Sequence, residues 1–78
     1  MTFDELVAKL QEMYENAPHG EKPVSVIRFA IEYAGELEGL TNVAIARAAH
    51  LTEKDSYDTE IGYGRQLAKY VSLKANNS

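Results

Sequence analysis

Few side chains in this sequence stand at spacings that could do chemistry. His19 and His50 are its only histidines, and neither has a second ligand at helical metal spacing, so no zinc site is expected. His19 reads as a solvated loop residue and His50 as a helix-end residue placed to interact with the last carbonyls. Asp55, Asp58 and Glu60 cluster, yet a calcium loop begun at Asp55 would put Tyr57, Thr59, Glu60 and Gln66 at its further ligand, glycine and glutamate positions, which is no match. Helix capping explains these acids better. Gly62-Tyr63-Gly64 opens like a phosphate-binding glycine loop, but Leu67 stands where the third glycine belongs and no strand precedes it. Cysteine is absent, Ser25 and Ser56 lie outside any nucleophile elbow, and Glu32 and Glu36 share an exposed helical strip. The expectation is therefore a protein that is not an enzyme and carries no metal and no cofactor.

Charge is more informative than any of these clusters. The chain is 78 residues long with a net charge of −4, a balance that opposes nucleic-acid binding, which draws on neutralised phosphates. The average conceals an asymmetry: residues 1–40 carry three basic and eight acidic side chains, net −5, whereas residues 41–78 carry five and four, net +1. No acid follows Glu60, so Arg65, Lys69 and Lys74 form the basic surface this chain can offer.

The elements that must position these groups are helical. Thr2 and Glu5 form a capping box, and Phe3, Leu6, Val7, Leu10, Met13 and Tyr14 recur at three and four, predicting an outer amphipathic helix over 3–16. Pro18 to Pro23 is a loop, with Pro23 suited to a first helical turn and Ser25 an alternative cap. Ser25 to Leu37 is apolar almost all round. Val26, Ile27, Phe29, Ala30, Ile31, Tyr33, Ala34 and Leu37 leave a strip of Arg28, Glu32, Gly35 and Glu36, which predicts the central helix of a bundle over 24–38, intolerant of Ile27→Asp or Ile31→Asp. Thr41 caps a short alanine-rich helix over 42–50, with Leu40 and Ile45 as its hydrophobic staple. Leu51 should plug the core ahead of a turn, and Ser56 or Asp55 should cap a last helix over 57–73.

In that last helix Tyr57, Ile61, Gly64, Leu67, Ala68 and Val71 form the expected inward stripe, and Thr59, Gly62, Arg65, Gln66, Lys69 and Ser72 the outward one. Each glycine costs about 1 kcal/mol relative to alanine in a helix interior. Gly64 is best explained by close passage of the backbone against the central helix or a ligand; the competing explanation starts the helix only at Arg65.

The whole is expected to be all-α: one four-helix domain over 1–74, with a disordered tail at 75–78. Near this size a domain buries only about 60% of the surface of its unfolded chain, and with no disulfide to help, packed helices or an oligomeric interface must supply the stability. No stretch approaches the roughly 20 apolar residues of a membrane span and the N-terminus lacks a signal pattern, so a soluble, unprocessed, cytoplasmic protein is expected. The Asn76-Asn77-Ser78 sequon is a chance match.

From Thr41 to Val71 the order is a capped short helix with small residues at its centre, an apolar plug, a turn and a longer helix. This resembles a helix-turn-helix, and Thr59 to Val71 is similar to the second helix of helix-turn-helix-like modules in small bacterial and phage proteins. The resemblance implies a tri-helical core to which the first helix is a clamp, Ala46 or Ala48 at the helix crossing, and a last helix presented to the major groove. It makes Thr59, Gly62, Tyr63, Arg65, Gln66 and Lys69 the contact surface for duplex DNA, with Arg65 and Gln66 on base edges and Lys69 on phosphate. His50 stands near the position where that family commonly has glycine. A possible homodimer and a role in transcription regulation follow from the same resemblance. The competing functional reading is a protein-interaction adaptor or inhibitor, docked through Tyr63, Tyr70 and Leu73 with the flanking bases, because aromatic residues and arginine are enriched at interface hot spots.

Overall fold

The computed structural model describes residues 1–51 and 57–71. It contains α1 (Phe3–Asn16), α2 (Lys22–Glu32), α3 (Asn42–Ala49) and α4 (Asp58–Leu67). The helices close a ring of packed pairs: α1 on α2, α2 on α4, α4 on α3, and α3 back on α1. The core at its centre is built from Leu6, Leu10, Tyr14, Val26, Phe29, Leu37, Ile45 and Ile61, among others.

Local chemistry starts α1 and α3 where the sequence predicts, while α2 begins at Lys22, two residues ahead of the expected start. The Glu5 backbone N–H donates to Thr2 Oγ1 at 3.1 Å and the Thr2 N–H to Glu5 Oε1 at 2.8 Å, so the capping box satisfies two donors that the first turn leaves over. Thr41 Oγ1 accepts from Ala44 N–H at 3.1 Å in the same way. Pro23 occupies the first turn of α2. Ser25 is not a cap; it is buried, and its hydroxyl donates to the Lys22 carbonyl.

Residues from elsewhere finish the helix ends. α1 has no basic residue in its last turn, but Lys22 Nζ reaches back to donate to the Tyr14 and Ala17 carbonyls at 2.8 and 3.3 Å and lies 5.0 Å from the Tyr14 ring centroid. A cation at that end also complements the helix dipole. Gln11 Nε2 donates to the Ala49 carbonyl at 2.9 Å, so α1 clamps the C-terminal end of α3. His50 then leaves α3 in the left-handed conformation, φ 48° and ψ 53°, the backbone that favours glycine.

Three expectations are corrected. α2 stops at Glu32, not at residue 38; Tyr33 ends it, and residues 33–39 form successive turns leading to Gly39 at φ 85°. Breaking the helix there carries Leu37 into full burial, and Arg65 donates to the Leu37 and Leu40 carbonyls beyond the break. Ile27 and Ile31 are only half-buried, because α2 is covered on two sides, by α1 and α4, and presents Ser25, Val26, Phe29 and Ala30 to them. α4 ends at Leu67, although Val71 N–H still bonds the Leu67 carbonyl at 2.9 Å and continues its turn.

Gly64 is buried against α2: a Cβ built there would lie 2.5 Å from the Ile27 carbonyl oxygen and overlap Ala30 Cβ. The close approach to the central helix is thus the reason for that glycine. Leu51 is half-buried against the core. The caps expected at Asp55 or Ser56 and the tail at 75–78 lie outside the described residues.

Candidate docking face on the last helix

Two packing contacts fix how α4 is turned. Gly64 lies on Ala30 of α2, and Gly62, expected to face outward, has Asn42 Nδ2 of α3 3.2 Å from where its Cβ would be. With 3.6 residues per turn, Tyr57, Ile61, Gly64 and Ala68 point inward, and the opposite side is exposed.

That exposed side is divided lengthwise. Thr59 and Gln66 lie on the flank nearer α3, with Lys69 beyond them, and all three are exposed. Tyr63 and Tyr70 run along the middle, 56% and 84% exposed. Leu67 and Val71, expected in the inward stripe, lie on the flank nearer α2 and are 43% and 49% exposed. α4 therefore carries two apolar stripes side by side, one buried and one not. Periodicity alone merges them, which is why Leu67 and Val71 were expected in the core.

Arg65 does not share this face. Its guanidinium turns back, Nη1 donating to the Leu40 carbonyl at 2.8 Å and to Asn42 Oδ1 at 2.9 Å, and Nη2 to the Leu37 carbonyl at 3.3 Å. These acceptors end the turns after α2 and begin α3, so one side chain joins three elements. The planar fork suits such a cluster, and a guanidinium stays charged. Asn42 is a partner that sequence reasoning missed; its position directly after the Thr41 cap was the available signal.

The electrostatics of the face are sparse. Lys69 is its exposed cation, beside a shallow groove lined with Ala34, Gly35, Glu38 and Gln66, while Asp58 and Glu60 lie in the first turn of α4. Among the described residues no group of His, Asp and Glu converges as a metal site, and no helix is long and apolar enough to cross a membrane.

No curated protein and no solved structure matches the chain. A family model does, over residues 2–74, which takes in all four helices rather than only the stretch from Thr41. The four-helix all-α fold accords with that match, and the chain belongs to the family of HTH-like domains.

Proposed function

We propose that this HTH-like domain is a non-enzymatic, DNA-binding regulatory module that docks α4 on duplex DNA. The observation that carries the reading is the polar flank of α4, where Thr59, Gln66 and Lys69 are exposed together beside α3. Gln66 is the side chain suited to a base edge and Lys69 to a phosphate, with Tyr63 and Tyr70 stacking or packing alongside. Arg65 acts in this reading as a positioning residue that holds α4 against α3, not as a base reader.

The sparse cations set the strength. With Lys69 exposed just past the end of α4 and Arg47 exposed on α3, about two phosphates are neutralised, giving a log-log salt slope near −2. The test is an amide NMR titration of the labelled protein with random-sequence duplex at two salt concentrations. Shifts in Thr59, Tyr63, Gln66, Lys69 and Tyr70 that fade with salt support the reading. Shifts absent at both salts, or equal at both, refute it.

A second reading is favoured by the apolar flank: Tyr63, Leu67, Tyr70 and Val71 are exposed and uncharged, a composition that fits a protein partner better than a phosphate backbone. It would leave binding nearly independent of salt and sensitive to Tyr70→Ala.

A further inference from the structure

An acid from another element borders the polar flank of α4. The shallow groove there is lined by Glu38, from the turns after α2, and by Gln66 and Lys69, from the end of α4 and the turn that follows it. Ala34, Gly35 and Ala68 also line it, and their small side chains leave it unfilled. Glu38, Gln66 and Lys69 are all exposed, so carboxylate, amide and ammonium open to the same solvent.

The turn that carries Glu38 is held by other groups. Leu37 N–H donates to the Tyr33 carbonyl at 3.0 Å and Glu38 N–H to the Gly35 carbonyl at 3.5 Å, while Arg65 Nη2 donates to the Leu37 carbonyl at 3.3 Å. Arg65, the other cation lining the groove, is thereby committed to the protein. Lys69 and Glu38 are left as the exposed charges of the groove.

A duplex that meets Gln66 and Lys69 must also bring phosphates near Glu38. Phosphate and carboxylate repel, and salt weakens that repulsion only beyond the Debye length, about 8–10 Å near physiological ionic strength. Base edges treat the carboxylate differently, since the amino group of cytosine donates to it. Glu38 therefore opposes docking that rests on the phosphate backbone alone, and opposes docking on base edges less.

We propose that Glu38 is a specificity-determining residue of the α4 face, holding down sequence-independent affinity by offsetting the attraction of Lys69 for phosphate. This role rests on duplex docking through α4. It belongs to one position and not to the chain's net charge of −4 at large, because acids on α1, the helix across the ring from α4, do not line this groove.

The test is fluorescence anisotropy of a labelled random-sequence duplex titrated with the full chain at low and at moderate salt. Glu38→Gln and Glu15→Gln each remove one negative charge, and Glu15 is exposed on α1. Glu38→Gln is expected to bind about threefold more tightly than the parent at low salt, with a gain that shrinks as salt rises. Glu15→Gln should stay within about 1.5-fold of the parent. Equal gains in the two variants, or no gain in Glu38→Gln, overturn the role of Glu38 while leaving duplex docking in place. If the parent and both variants all fail to bind at low salt, duplex docking itself is overturned and the role of Glu38 falls with it.

Discussion

Gly64 of α4 rests directly on Ala30 of α2, with no room between the two backbones for a methyl group. The contact sets the distance between the two helices and, through it, the angle from which α4 offers its outer face. Ala30 is fully buried and Gly64 is buried with it. A pair of small residues here does what larger ones cannot, because the Ile27 carbonyl that a Cβ would meet belongs to a helix backbone and cannot rotate away.

Gly64→Ala should therefore destabilise the domain even though alanine favours a helix by about 1 kcal/mol. Overpacking against backbone outweighs that gain, and a net loss of about 1–3 kcal/mol is expected in urea unfolding. Gly62→Ala is the comparison. Its Cβ meets only the end of the Asn42 side chain, so its stability should stay within about 1 kcal/mol of the parent.

Arg65→Ala removes a charged donor from three acceptors on two other elements, and a loss of about 2 kcal/mol is expected. Arg65→Lys should recover little of it, since a single ammonium cannot reproduce the fork. Denaturation midpoints of the two variants decide this. A lysine variant as stable as the parent would show that the cluster needs charge alone.

His50 holds a left-handed backbone at the end of α3, which costs a residue with a side chain roughly 1–2 kcal/mol. His50→Gly relieves that cost at some expense in unfolded-state entropy. The expected outcome is a gain of about 1 kcal/mol and a higher Tm, read by thermal melting.

Acid should loosen the start of α1. Backbone and side-chain hydrogen bonds from Thr2 hold the Glu5 carboxyl below its ordinary range. A carboxylate with a depressed pKa in the folded state stabilises the fold above its unfolded pKa, and that contribution disappears as pH falls through the folded value. Melts between pH 6 and pH 2 should show the parent losing more stability than Glu5→Gln, which has no charge to lose.

The candidate site was legible in part. Thr59, Gln66 and Lys69 of the outward stripe marked by helical spacing are exposed, and Tyr63 and Tyr70, which the spacing did not mark, are exposed beside them. Arg65 has the same outward signature in sequence as Gln66 or Lys69, and nothing local distinguishes a guanidinium that faces solvent from one that joins carbonyls 25 and 28 residues earlier. Its partners exist only once the chain has turned after α2.

What the sequence determined by itself is what local interactions control. Thr2 with Glu5, Thr41, and Pro23 begin three helices through contacts within one turn, and the four-residue spacing of Leu6, Leu10 and Tyr14 selects the buried face of α1. The tertiary structure alone decided where α2 stops, which of two apolar stripes in α4 is core, and where Arg65 points. Each of these depends on a neighbour distant in sequence: Leu37 leaves the helix for the core, α2 covers one stripe at Ala30 and leaves Leu67 and Val71 outside, and Leu40 and Asn42 hold the guanidinium. Capping and periodicity act over one turn of helix, whereas burial is shared out among all four.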